Sequence, residues 1–220
     1  MNVVVFGATG MVGQGVLREC LRDPEIRRVV TVGRAAPSVH DPKLRALIVP
    51  DLLDFSSVAN ELSDLDACFY CIGVTSLGLS EAEYARTTRD LTLRVAMQLL
   101  AWSPRISFVF VSGQGADSSE RGRVMWARVK GKTENALLAM PLAYVAVVRP
   151  GLIVPMHGIR SRTGWYNFIY YLIRPFLPLI RRVAGGSVTT TERLGRAMIR
   201  MAQGGFDRRV LEGAALAHVQ

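Results

Sequence analysis

Val3-Val4-Val5-Phe6-Gly7-Ala8-Thr9-Gly10-Met11-Val12-Gly13 is the stretch on which the reading of this chain turns. An almost wholly apolar run over Asn2–Phe6 reads as a strand buried on both faces. It passes directly into G-x-x-G-x-x-G, and a helix follows over Gly10–Leu21, with Val12, Val16, Leu17 and Cys20 toward one side and Asp23-Pro24 closing it. Glycines allow a tight strand-to-helix turn and let a backbone come close to a pyrophosphate. The helix start offers unpaired N–H groups and a partial positive charge to phosphates. Glycine spacing alone is a weak signal. The strand before it and the amphipathic helix after it are the context that gives it meaning.

Outward from that turn, short β-branched runs alternate with longer helical segments. Further strands are expected at Arg28–Val32, Leu44–Val49, Ala67–Ile72, Arg105–Val111 and Leu142–Val148. Helices are expected at Ser56–Leu62, Glu81–Trp102 and Gly122–Met140. Ser80 and Glu83 form a capping box before the long helix, whose buried face is Leu91, Val95, Leu99 and Trp102. Thr189 and Glu192 suggest a second box, opening a helix to about Gln203, and Arg209–Leu211 reads as a short final strand. This alternation predicts an α/β fold: a three-layer, doubly wound Rossmann domain with a mostly parallel sheet. Residues 1–220 read as one domain, with 151–220 as its small helical substrate or cap region. No internal repeat or linker divides the chain.

Composition narrows the function classes. Half of the 220 residues are hydrophobic and one fifth charged, an ordinary globular balance. The excess of 27 Lys and Arg over 18 Asp and Glu gives a net charge of +9. The excess is scattered, with no basic tail and no aromatic–basic motif, so an anionic small ligand is favoured over nucleic acid. Three cysteines argue against a disulfide framework and, with no signal-peptide pattern at the start, set the expected localisation as cytoplasmic. Cys68 and Cys71 are three apart in a strand and therefore point to opposite faces, which excludes a redox pair. His40, His157 and His218 lie in separate contexts, so no metal site is expected. No G-x-S-x-G elbow supports hydrolase chemistry.

The second strand ends at Thr31-Val32-Gly33-Arg34. A carboxylate there would hold a ribose 2′-hydroxyl and repel a 2′-phosphate, whereas a guanidinium pairs with the phosphate. Arg34 therefore points to NADP(H) as the cofactor.

These residues resemble the short-chain dehydrogenase/reductase superfamily, in particular its atypical, epimerase-like members. The resemblance covers almost the whole chain and is nearest to the Tat-interacting oxidoreductase-like branch, through Ser112–Asp117 and Val129–Glu134. It implies a cofactor-binding set of Gly7, Thr9, Gly10, Met11, Val12, Arg34, Asp51, Leu52, Cys71, Gly73, Lys130, Pro150 and Gly151. Within that set, Asp51-Leu52 lies at the adenine, Cys71-Ile72-Gly73 beside the ribose and Arg149-Pro150-Gly151 at the nicotinamide. It also implies Ser112 as the residue that polarises a substrate carbonyl and Lys130 as the ribose-holding lysine.

One position departs from the family pattern. The family's Tyr-x-x-x-Lys reads here as Trp126-Ala127-Arg128-Val129-Lys130. An indole N–H donates a hydrogen bond but is no phenol-type acid or base. Two expectations follow: a reductase of a carbonyl-type small molecule that takes its proton elsewhere, Tyr84 and Tyr166 being candidates by residue type, or a non-catalytic NADP(H) sensor acting through a protein partner. The loop Gly113–Ser119 is expected to border the substrate site. The aromatic segment 164–183, including Trp165, Tyr166, Phe168, Tyr170 and Tyr171, is broken by Arg174, Pro175 and Pro178, so it is too short and interrupted to span a bilayer. It reads foremost as a cap over the cleft, with a homodimer surface and membrane contact as the alternatives.

Overall fold

A run such as Val3–Phe6 is stable only where both faces of a strand are covered. In the computed structural model, which describes residues 1–159, 188–204, 206 and 208–217, all four of these side chains are fully buried. β1 (Asn2–Phe6) pairs in parallel with β2 (Arg28–Gly33) on one side and β4 (Ala67–Tyr70) on the other. β3 (Leu44–Ile48) lies outside β2. Beyond β4 come β5 (Ser107–Val111), β6 (Tyr144–Arg149) and β9 (Val210–Glu212). The sheet order is β3-β2-β1-β4-β5-β6-β9, parallel throughout. This is the doubly wound arrangement expected, with strand order reversing at β1 and β4.

The period-two alternation of strands sorts the apolar residues into two cores. Val3 and Val5 join Val109 and Ala146 beneath α1 (Met11–Arg22) and α5 (Thr191–Ala202). Val4 and Phe6 join Phe55, Tyr70, Phe108 and Phe110 beneath α3 (Leu91–Trp102) and α4 (Met125–Leu138). Cys68 packs into the second core and Cys71 against the first, so the two thiols lie on opposite sides of the sheet. Burial holds both thiols well above their ordinary pKa, and neither is poised for redox chemistry.

Several boundaries differ from expectation for local reasons. The helix expected over 81–102 is continuous but contains α2 (Glu81–Ala85), a π-helical turn at Arg86–Asp90 and then α3. Its capping box is present: Ser80 Oγ accepts from Glu83 N at 3.3 Å, and Ser80 N donates to Glu83 Oε2 at 2.9 Å. The segment Ser56–Leu62 is a 3₁₀ helix. α4 starts at Met125 rather than Gly122, because the Asp117 carboxylate draws Gly122 N to 2.6 Å and ties that residue into the preceding loop. The cap of α5 is Thr190, whose Oγ1 accepts from Arg193 N at 3.1 Å. Thr189 is instead a buried member of β8 (Val188–Thr190), which pairs with the unexpected β7 (Leu152–Val154). α6 (Ala214–Ala217) follows β9. The segment 164–183, with its cap, dimer and membrane readings, lies outside the described residues, as do Tyr166 and His218. Among the described residues no helix is long and apolar enough to cross a membrane.

Candidate active site

A parallel sheet brings every strand's carboxyl end to one edge. Gly7, Arg34, Cys71, Ser112 and Pro150 therefore converge there although they are far apart in sequence. At the centre of that edge the glycine turn is closed by Gly10 N donating to Gly7 O at 2.9 Å. Gly7 has φ +77°, and a Cβ on it would stand 2.8 Å from the Cys71 carbonyl carbon. A Cβ on Gly13 would fall 2.0 Å from Gly7 O. Side chains at these positions would push the turn off the sheet. α1 begins at Met11 behind Gly10 as its N-cap, with no side-chain cap and no acidic residue in its first turn. Its first N–H groups and dipole are therefore suited to hold an anion. Thr9 uses its carbonyl to hold Gln14 Nε2 at 3.1 Å, and Met11 and Val12 are half-buried beside it. This cradle fits a dinucleotide pyrophosphate.

On the β2 side Arg34 is exposed, and its guanidinium has no ion-pair partner among the described residues. Asp51 is exposed and accepts from Leu53 N at 2.8 Å, while Leu52 packs against the second core. A cleft of about 560 Å³ opens along α1 and the segment after β2, lined by Thr9, Gln14, Arg18, Pro37, Val39 and Ile159 among others. It does not reach Trp126 or Lys130. On the other side Cys71 N is still held by Phe6 O at 2.9 Å, and Gly73 stands open, with no described atom within 4 Å of the point a Cβ would occupy. Pro150 is buried and its carbonyl accepts from Gln114 N at 2.9 Å; Gly151 follows it half-buried at the same edge.

The residues expected to do chemistry are arranged differently from the family pattern. Ser112 Oγ donates to Glu134 Oε1. Glu134 is 1% exposed. It is held by Arg149, with Nε 3.1 Å from both carboxylate oxygens and Nη2 2.5 Å from Oε2. Arg149 continues to Glu212 at 3.3 Å and Ser118 Oγ at 2.5 Å. These carboxylates raise the Arg149 pKa, Glu134 foremost. An ionised carboxylate only accepts, so Ser112 must be the donor, and its proton is withheld from a substrate carbonyl. The residue facing Trp126 and Lys130 is Gly113: a Cβ there would lie 3.8 Å from Trp126 Cζ3 and 3.9 Å from Lys130 Cδ.

Lys130 Nζ lies 3.5 Å from Val111 O and 5.4 Å from the centre of the Phe110 ring. Burial lowers its pKa to about 8, against the opposing pull of Glu134. Tyr84 is buried and held protonated by that burial, and makes no hydrogen bond to Ser112 or Lys130 among the described residues. The parts played by Glu134, Arg149 and Gly113 at this centre were not legible in the sequence. The one available signal was Glu134 lying four residues after Lys130, on the helix face that also carries Thr133 and Leu137.

Comparison with known proteins agrees with this fold. The model of the NAD dependent epimerase/dehydratase family matches residues 3–118, more than half of the chain. A curated relative, "Protein fmp52, mitochondrial" of Emericella nidulans, is 29% identical over 159 residues, covering 69% of this chain and 66% of its own length. A short chain dehydrogenase family protein from Francisella tularensis superposes with a TM-score of 0.67 at 15% identity, covering 96% of this chain and 95% of that one. The Bordetella bronchiseptica enzyme WbmF, solved with NAD+, gives 0.65 at 16% identity over 98% and 76%. At these identities the structures show the shared fold. The finer resemblance to the Tat-interacting branch is not carried by these matches. The cytoplasmic expectation is overturned, because the curated relatives are named as mitochondrial proteins.

Proposed function

The chain belongs to the NAD dependent epimerase/dehydratase family, and from that premise we propose that it binds NADP(H) and reduces a carbonyl-type small molecule. The observation that carries this reading is the uncapped start of α1 behind a turn that excludes side chains at Gly7 and Gly13. In this reading Gly7, Thr9, Gly10, Met11 and Val12 hold the pyrophosphate, and Arg34 pairs with the 2′-phosphate. Asp51 and Leu52 flank the adenine. Cys71, Gly73 and Lys130 hold the ribose beside the nicotinamide, and Pro150 and Gly151 bound the nicotinamide itself. The bound dinucleotide supplies a hydride. The protein's part is to orient the acceptor against the Trp126–Gly113 face, keep water from it and manage one proton.

Titration of the protein with NADPH and with NADH, followed by tryptophan fluorescence, tests the binding. NADPH is expected to saturate at the lower concentration. Arg34→Ala is expected to remove that preference, at a cost of about ten- to a hundredfold in NADPH affinity, since a hydrogen-bonded charge is worth about 1.5–3 kcal/mol. Equal affinities in the unsubstituted protein overturn the NADP(H) assignment, and no binding of either dinucleotide overturns the function.

A second reading is a non-catalytic NADP(H) sensor that acts through a protein partner. It is favoured by the commitment of the Ser112 proton to Glu134 and by the indole at position 126. It predicts NADPH binding without turnover of any carbonyl substrate, and recovery of turnover in Trp126→Tyr.

A further inference from the structure

Trp126 cannot supply a proton, Ser112 spends its own on Glu134, and Gly113 has no side chain. Lys130, whose stem lies against the Gly113 position, carries a titratable ammonium beside Val111 O and the Phe110 ring. We propose that Lys130 is itself the proton-donating residue of this site, delivering its proton directly to the substrate oxygen. The inference rests on the reductase reading above and assigns the step which that reading leaves without a residue.

The geometry supports it on three counts. First, Nζ makes a single long hydrogen bond, to Val111 O at 3.5 Å, so its other N–H directions are uncommitted among the described residues. Second, no carboxylate lies within ion-pair distance of it among those residues. The charge on Glu134, one turn along α4, is taken up by Arg149 and Ser112. Third, Gly113 puts no side chain against the Lys130 stem and the Trp126 ring, which a Cβ there would meet at 3.9 and 3.8 Å. In this reading a substrate oxygen reaches Nζ across Gly113.

The surroundings also suit proton transfer. From β5 the lysine meets the Phe110 ring and a carbonyl. On its own helix the charged neighbours are Glu134 and Arg128, and Arg128 is tied to Glu81 of α2 at 2.5 Å. Asp117, in the loop after β5, is bound to Ser119 and Gly122. Tyr84 of α2 is buried and protonated. No facing group thus holds the ammonium fully charged, and its pKa of about 8 leaves acid and base forms both populated near neutrality, where general catalysis is most effective. The step balances simply. The carbonyl carbon gains a hydride from the reduced nicotinamide dinucleotide, the carbonyl oxygen gains a proton from Nζ, and the neutral amine left behind is reprotonated by water.

The chain has three lysines, Lys43, Lys130 and Lys132, so amine labelling can be read residue by residue. The test is acetic anhydride labelling at stepped pH, quantified by mass spectrometry, on the protein alone and with NADPH. Lys130 is expected to reach half-maximal reactivity near pH 8, below the ordinary lysine value, and to be protected by NADPH. In parallel, Lys130→Arg keeps the charge but cannot release a proton at neutral pH. With NADPH at saturation it is expected to lose about a hundredfold or more in reduction rate. A Lys130 midpoint near the ordinary lysine value of about 10.4 overturns the proposal, as does Lys130→Arg turning over at the parent rate. A low midpoint with NADPH protection but no turnover of any carbonyl in a broad panel also overturns the donor role and leaves the sensor. A low midpoint without NADPH binding overturns the dinucleotide reading instead, because the midpoint is measured without cofactor.

Discussion

At position 112 a hydroxyl sits where its family resemblance predicts, yet the direction of its hydrogen bond decides what it can do. Glu134 is fully enclosed and bound to Arg149, so its oxygens accept and the Ser112 hydroxyl donates its hydrogen bond to them. Ser112→Ala is expected to destabilise the fold by about 1.5–3 kcal/mol, the worth of a hydrogen bond to a buried charge. Arg149→Met strands the Glu134 charge and is expected to cost about 3–5 kcal/mol. Both are read as urea midpoints at constant slope. A Ser112→Ala midpoint equal to that of the parent would mean that the bond is made equally well with water. At this scale Arg34, Ser112, Trp126 and Lys130 were all legible, since each follows a strand end or a motif position. The direction of the Ser112 bond was not, because its partner lies on another element 22 residues away.

The element that matters most is α4, and its distance from the sheet edge is set by one residue. A Cβ on Gly131 would lie 1.8 Å from Asp117 O, so the helix rests directly on the loop that follows β5. Gly131→Ala must push the two apart. The expected cost is about 1–3 kcal/mol from overpacking. NADPH affinity should also fall, because Lys130 and Trp126 move with the helix. A variant that keeps parental stability and NADPH affinity would show that the loop yields without moving α4. The elements themselves were mostly readable. The long helix after β4 carries its capping box and apolar stripe openly, although the π turn at Arg86–Asp90 has no sequence mark. Thr189 misled as a cap because Thr190 offers the same hydroxyl one residue later. Pairing of Thr189 with Ile153 in the small second sheet decides between them.

Across the whole molecule the surface is cationic, with 27 Lys and Arg against 18 Asp and Glu. A polyanionic dinucleotide should therefore be attracted over several ångströms. Raising salt from about 0.05 to 0.5 M shortens the screening length from roughly 14 to 4 Å. NADPH affinity is expected to fall several-fold over that range, measured by the same fluorescence titration, and more steeply than NADH affinity. A flat salt response would mean that short-range contacts carry the binding alone. By itself, the sequence determined the doubly wound sheet, its two-sided burial and the anion cradle at its carboxyl edge. Those follow from local periodicity and from glycines whose neighbours in space are also neighbours in sequence. Only the tertiary structure decided which carboxylate accepts from Ser112, which glycine lies against Trp126 and Lys130, and that Lys130 is held by a carbonyl of β5. Each of these depends on a contact between β5, α4 and β6, and the polarity of such a contact is set by what burial denies to water.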